Sequence, residues 1–263
     1  MTAADAAFSG SIPALYHELL GPLLFEPYAW DMARRVAALK PARILETAAG
    51  TGIVTGALMR EAGKAEIVAT DLNQAMIDVA AGRLMSWRVT FRAADAQALP
   101  FEDESFDAVV CQFGAMFFPD RIAAFREAKR VLKPGGRFLF NVWDRIDRNP
   151  VSSAVSAAVA ALFPSDPPSF LRRVPFGYHD KAAIEADLRS AGFGDVSAET
   201  VEKTSVVNAR DAAIGLCAGS PLRAEIEERD PARLEEAIDA AAASLVHLDG
   251  GEAPMSAHVF SAG

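Results

Sequence analysis

The spacing of apolar and polar positions changes along the chain. Residues 12–39 carry apolar side chains at helical spacing, with a predicted interruption at Gly21-Pro22 and a second helix from about Pro27. From residue 42 to 143, short apolar runs alternate with amphipathic stretches over short links. This alternation predicts a parallel sheet with right-handed crossovers.

The predicted strands are the short apolar segments at 43–46, 65–70, 89–93, 106–113 and 137–143. The predicted helices that join them lie at 53–62, 74–84 and 120–132. The run at 106–113 is almost continuously apolar, as a strand buried on both faces should be. We therefore expect an α/β fold, a Rossmann-like, doubly wound and mostly parallel sheet.

Beyond Trp143 the alternation breaks. Two largely helical inserts are predicted at about 146–179 and 208–250. Between and after them the pattern resumes with a helix at about 180–191, a strand at 196–207 and a last strand at 255–261. Inserts of this kind join an open sheet near the carboxyl ends of its strands, where ligands bind, so we expect them to form a lid.

Composition and charge narrow the function. The 263 residues are 51% hydrophobic and carry a net charge of −9, so a folded core is expected and a broad basic surface for nucleic acid is not. Cys111 and Cys217 form no CxxC pair, so we expect buried thiols and no zinc site or other metal site. Residues 1–10 lack the pattern of a signal peptide, and no apolar run is long enough to span a membrane.

A glycine-rich turn is the strongest local signal. The segment from Glu46 to Gly52 reads Glu-Thr-Ala-Ala-Gly-Thr-Gly between a strand and a helix, where free backbone N–H groups can meet a ligand. Asp71 ends the second strand and could accept two hydrogen bonds from a ribose diol, as found in dinucleotides and in S-adenosylmethionine. Two other interpretations stay open here: a tight turn without ligand, and Asp71 as a helix N-cap, a role that Asn73 could also take.

A third stretch separates the candidates. Residues 93–140 read AADAQALPFEDESFDAVVCQFGAMFFPDRIAAFREAKRVLKPGGRFLF. Together with the glycine turn and Asp71, this stretch resembles the class I S-adenosylmethionine-dependent methyltransferases, in particular the methyltransferase type 11 subfamily that includes the ubiquinone- and menaquinone-biosynthesis C-methyltransferases. The resemblance is strong over 42–143, weaker over the N-terminal helices and poor over the inserts.

The resemblance implies a set of cofactor-binding residues: Tyr16, Glu46, Ala48, Gly50, Gly52, Asp71, Leu72, Met76, Asp95, Ala96, Gln112 and Phe113. Among them, Glu46 would hold the amino group of the cofactor, Asp71 its ribose and Asp95 the amino group of its adenine. The family usually has glycine where this chain has Ala48. Alanine there predicts a backbone with negative φ and a slightly narrower site.

Methyl transfer from a sulfonium is an in-line displacement, which the protein assists by alignment and by excluding water. A general base is required only where the acceptor must lose a proton. The candidates are His17 and His179, with His247 and His258 behind them, and each is also a plausible structural histidine. Several aromatic residues could line an acceptor pocket or simply fill the core: Phe25, Tyr28, Trp30, Phe117, Phe163, Phe170, Phe176 and Tyr178.

The expectation is thus an enzyme that methylates O, C or N of a small, partly apolar molecule. Its predicted organisation is N-terminal helices over the cofactor at 1–40, a cofactor-binding core at 41–145 and a C-terminal part at 146–263. A cytoplasmic monomer or homodimer without nucleic-acid or membrane partners is expected. Two alternatives are a protein that binds S-adenosylmethionine without catalysis and an NAD-dependent oxidoreductase, which would favour glycine in place of Ala48.

Overall fold

A computed structural model describes residue 5 and residues 10–263 of the chain. The expectation about a signal peptide at 1–10 therefore lies mostly outside the described residues. Within them, seven strands form one sheet in the order β3-β2-β1-β4-β5-β7-β6. The strands are β1 (Arg43–Glu46), β2 (Glu66–Asp71), β3 (Val89–Ala93), β4 (Phe106–Gln112), β5 (Leu132–Trp143), β6 (Val196–Val206) and β7 (Glu252–Ala262).

Strands β1 to β5 pair in parallel, whereas β7 runs antiparallel between β5 and β6. The predicted Rossmann-like, mostly parallel sheet is therefore confirmed. Strand β4 is buried along most of its length because sheet neighbours and helices cover it, in agreement with its apolar run. The switch in strand order at β1 and β4 opens a crevice at the carboxyl ends of these strands, where ligands bind in such sheets.

The helices are α1 (Ile12–Leu15), a π-helix (Tyr16–Phe25), α2 (Glu26–Ala38), α3 (Ile53–Glu61), α4 (Gln74–Arg83), α5 (Arg121–Val131), α6 (Pro150–Leu162), α7 (Phe170–Arg173), α8 (Lys181–Ser190), α9 (Ala209–Ala218), α10 (Leu222–Arg229) and α11 (Leu234–Leu245). Short 3-10 turns connect some of them. Helix α2 packs on α3, α5 packs on α8, and α6 and α9 both pack on α11. The inserts thus form their own helical layer.

The predicted interruption at Gly21-Pro22 is wrong. Helical structure is continuous from residue 12 to 38, and Pro22 lies inside the π-helix. In an α-helix the proline ring would clash with the carbonyl four residues earlier. The π-helix bonds five residues back instead, as the N–H of Glu26 does to the carbonyl of Gly21, and this wider turn accommodates the proline.

Aromatic packing anchors the centre of the sheet. Phe138 and Phe140 stack 4.8 Å apart, and Phe140 stacks on Phe260 of β7 at 5.0 Å. Cys111 and Cys217 are buried free thiols, as predicted, and burial raises the pKa of each to about 12. Over the described part of the chain, no helix combines the length and the apolarity needed to cross a bilayer.

Candidate active site

The glycine turn adopts a strained backbone between β1 and α3. Gly50 and Gly52 have φ of +56° and +81°, in the left-handed region that favours glycine. Ala48 is also left-handed, with φ of +52°, so the prediction of a negative φ at this residue is wrong. Neighbouring strands impose the strain, because Thr47 donates its N–H to Val110 of β4 at 2.8 Å and Ala49 donates to Thr70 of β2 at 2.9 Å.

Asp71 connects the glycine turn to the end of β2. Its carboxylate accepts one hydrogen bond from the N–H of Gly50 and one from the N–H of Asn73, both at 2.8 Å. Burial raises the pKa of Asp71, and these hydrogen bonds oppose that rise. The carboxylate also lines the cleft described next, where a ligand hydroxyl can approach it. Asn73 occupies the N-cap position of α4, but its side chain makes no capping bond.

A cleft lies along the carboxyl ends of β1, β2, β3 and β4. It brings together ten of the residues named from the sequence: Tyr16, Ala48, Gly50, Asp71, Leu72, Met76, Asp95, Ala96, Gln112 and Phe113. Sequence reasoning did not assign some further lining residues to the cofactor site: Asn73, Ala94, Gln97, Gly114, Phe118 and Pro119. Most of these are sequence neighbours of a predicted site residue, so they could have been predicted from their positions just after the ends of the strands.

Two of the named residues do not line this cleft. Glu46 is buried beneath it, where its Oε2 accepts a hydrogen bond from the Thr55 hydroxyl at 2.6 Å. Burial raises the pKa of Glu46 to about 8, with Asp71 adding to the rise. Gly52 lines a different depression on the far side of the turn, together with His17. The His17 Nδ1 lies 2.9 Å from the Thr51 hydroxyl, and burial lowers the pKa of this imidazole.

The turn after β4 forms the opposite wall of the cleft. Phe113 is left-handed, with φ of +51°, and its N–H donates to Asn141 Oδ1 at 2.9 Å. The Phe113 ring stacks on Trp143 at 3.9 Å. A Cβ added to Gly114 would lie only 2.4 Å from the Cβ of Ala48, so the close approach of the two turns requires glycine there.

A second pocket adjoins the cleft. Tyr16, Phe113 and Phe117 line both, so the two spaces share one wall. Four of the aromatic residues considered from the sequence line the second pocket: Phe25, Phe117, Phe170 and Phe176. The other four lie elsewhere: Tyr28, Trp30, Phe163 and Tyr178. Each of the latter is used in packing; Tyr28 is fully buried, and the Tyr178 hydroxyl donates to Asp187.

The second pocket is uncharged. The described residues that line it include no aspartate, glutamate, histidine, lysine or arginine, and their polar side-chain groups are the hydroxyls of Tyr16, Ser152 and Ser220 and the indole N–H of Trp143. His179 lines neither space, and its Nδ1 lies 2.9 Å from the carbonyl of Phe176. Neither histidine singled out from the sequence therefore reaches the wall that the cleft and the pocket share.

Comparisons with known proteins show similarity to methyltransferases. A family described as "Methyltransferase domain" matches residues 45–140. The demethylmenaquinone methyltransferase of Clavibacter sepedonicus is 35% identical over 179 residues, which are 64% of this chain and 72% of that protein. A ubiquinone/menaquinone biosynthesis C-methyltransferase of Pseudomonas aeruginosa is 33% identical over 169 residues, which are 59% of this chain and 66% of that protein. Among solved structures, a putative methyltransferase from Bacillus halodurans superposes with a TM-score of 0.58 at 20% identity, covering 89% of this chain and 97% of its own.

Proposed function

The chain belongs to the class I S-adenosylmethionine-dependent methyltransferases of the ubiquinone/menaquinone C-methyltransferase group, and we propose that it methylates a small, electron-rich aromatic molecule, such as a hydroquinone. This acceptor would bind in the uncharged pocket. S-Adenosylmethionine is the cofactor, and it supplies a methyl group activated by a positively charged sulfur. The observation that carries the proposal is the wall of Tyr16, Phe113 and Phe117 shared by the cleft and the pocket.

The cleft fits the cofactor. Asp71 and Asp95 both line the cleft, where Asp71 would accept hydrogen bonds from the ribose hydroxyls and Asp95 from the adenine amino group. A Cβ built on Gly50 meets nothing within 4 Å, so the backbone of the turn is open to close approach. Buried Glu46, below the turn, would attract the ammonium group of the cofactor directly or through water.

The neighbouring pocket favours an apolar acceptor. Burying flat apolar surface against rings such as Phe170 and Phe176 is worth about 25 cal/mol per Å², whereas a charged acceptor would lose its hydration without a partner. Rings on the shared wall would align the acceptor with the sulfur and exclude water. The residues of the chain thus act by placement, and the proton that the acceptor loses on methylation leaves to solvent after the transfer.

The described residues that line the pocket include no acid or base, which restricts the acceptor to molecules that are nucleophilic without deprotonation by the protein. An acceptor in this pocket must supply its own electron density, as the ring carbon or oxygen of a hydroquinone does. One of the two relatives described above is named a demethylmenaquinone methyltransferase, and the other is named a C-methyltransferase of ubiquinone and menaquinone biosynthesis. Their names support the same acceptor class for this chain.

The proposed organisation follows the sequence-based division. We infer that the helices before residue 40 cover the cofactor, because Tyr16 of the π-helix lines the cleft and stacks on Phe25 at 4.7 Å. The inserts would close the acceptor pocket, to which Phe170 in α7 and Leu216 in α9 contribute. A lid assembled from both inserts would let the acceptor enter before water is excluded.

The test combines binding and transfer. Calorimetric titration with S-adenosylhomocysteine should give micromolar binding that Asp71→Ala abolishes. Tritiated S-adenosylmethionine is then incubated with a reduced, short-chain naphthoquinone and, separately, with aliphatic amines. Label transferred to the hydroquinone alone supports the proposal. Label transferred to amines, with none on the hydroquinone, would contradict the proposed acceptor while leaving the cofactor assignment intact.

A further inference from the structure

Two neighbouring side-chain amides each keep one buried atom without a partner. Gln112 Oε1 and Asn141 Nδ2 are shielded from solvent and make no hydrogen bond, although few buried polar atoms in proteins are left unpaired. Gln112 and Asn141 pair in register across the parallel strands β4 and β5, so their side chains leave the same face of the sheet about 5 Å apart.

The orientation of both amides is fixed by their other atoms. Gln112 Nε2 donates to the carbonyl of Phe25 at 3.1 Å, which leaves Oε1 as the free acceptor. Asn141 Oδ1 accepts from the N–H of Phe113 at 2.9 Å, which leaves Nδ2 as the free donor. An amide flip would break either bond, so the unpaired set is one acceptor beside one donor.

This pair lies at the junction of the two binding spaces. Gln112 lines the cofactor cleft, and Phe25 and Phe113, whose backbones the amides hold, line the uncharged pocket. Trp143, two residues after Asn141 on the same face of β5, stacks on Phe113 and lines the same pocket. The pair thus adjoins the cofactor cleft through Gln112 and the uncharged pocket through Phe25, Phe113 and Trp143.

We propose that Gln112 and Asn141 together form a subsite for a neutral hydroxyl of the methyl acceptor. The hydroxyl donates to Gln112 Oε1 and accepts from Asn141 Nδ2, so both buried atoms are satisfied at once. Rotation of the Phe113 ring, a side-chain change common on binding, opens the pair to the pocket. An ether or carbonyl oxygen only accepts and leaves Gln112 Oε1 unpaired, which makes the pair selective for a phenol or hydroquinone. This inference rests on the proposed apolar acceptor site.

The test uses two probes that differ in this one group, 1-naphthol and 1-methoxynaphthalene. Their dissociation constants are measured by calorimetry with saturating S-adenosylhomocysteine. The unmodified protein should prefer the naphthol about tenfold, since the ether strands a buried acceptor. Gln112→Met removes that acceptor and should bring the ratio of the two dissociation constants, ether to naphthol, close to one. Asn141→Asp keeps the bond to Phe113 but replaces the free donor with an acceptor, so it should weaken the ether selectively and raise the ratio.

The matched control is Asn149→Asp. Asn149 is an equally buried amide whose atoms are all bonded, to Ser256 and to the carbonyl of Arg145, so its change should lower stability without altering the ratio. No preference in the unmodified protein, or an unchanged ratio in Gln112→Met, would overturn the inference. Equal weakening of both probes in both variants would indicate an internal water only and would also overturn it. Failure of both probes to bind, with S-adenosylhomocysteine still bound, would instead refute the acceptor site itself.

Discussion

Replacing Ala48 by glycine tests whether the strained turn costs stability. A left-handed alanine is disfavoured by about 1–2 kcal/mol, whereas glycine adopts this backbone freely. Two effects oppose this relief of strain. Glycine has greater freedom in the unfolded chain, which costs about 0.4–1 kcal/mol of stability, and the substitution removes one half-buried methyl group. We therefore expect Ala48→Gly to be neutral or to stabilise the protein by up to about 1 kcal/mol.

The neighbouring alanine provides the control. Ala49 is more deeply buried and lies outside the left-handed region, so Ala49→Gly carries the same two losses without relief of strain. It should destabilise the protein by about 1 kcal/mol or more. Urea denaturation followed by circular dichroism gives both free energies of unfolding. The strain argument predicts that they differ by about 1–2 kcal/mol, and equal losses in the two variants would refute it.

Four further predictions address the site. Because burial raises the pKa of Glu46 to about 8 from an ordinary value of 4.5, the ligand-free protein should lose stability as pH rises from about 4.5 to 8, and Glu46→Gln should flatten that slope. An ammonium beside Glu46 would favour the charged form of this carboxyl, so binding of S-adenosylhomocysteine at pH 7 should release a proton. Calorimetry in buffers of different ionisation enthalpy detects that release. If Glu46→Gln releases as many protons as the unmodified protein, the Glu46 carboxyl is not their source. Asp71→Asn removes a charge-assisted acceptor and should weaken S-adenosylhomocysteine at least about tenfold, and unaltered affinity would argue against the ribose role. Phe176→Leu, which alters only the apolar pocket, should raise the KM for the acceptor several-fold with cofactor affinity preserved, and a parallel loss of both would show that the two spaces are not separate.

Local sequence patterns predicted the parallel part of the fold well. The bounds of β3 match residue for residue, and the end of β2 at Asp71 follows from an apolar run that stops at a polar residue. Such features depend on neighbours in the chain, which periodicity records. The carboxyl ends of successive parallel strands meet at one edge, so most of the cleft could be predicted from where those strands end.

What escaped prediction depends on contacts between distant residues. The left-handed backbone of Ala48 results from hydrogen bonds made by its neighbours to β2 and β4, which override the intrinsic preference of alanine. Asn141 lies within an apolar strand without any motif, and only the register with Gln112 reveals its place in the site. Gly21-Pro22 ordinarily predicts the end of a helix, whereas here both residues lie inside the π-helix.

The position of β7 also bears on the order in which the molecule assembles during synthesis. This strand follows β6 in the chain but lies between β5 and β6, so β6 has no sheet partner until β7 has left the ribosome. Strands β1 to β5, which build the cofactor cleft, are complete much earlier and need no later strand to pair with one another. Leu216 and Pro221 of the apolar pocket lie on the segment between β6 and β7. A nascent chain would thus form the frame of its cofactor cleft first and close its acceptor pocket last.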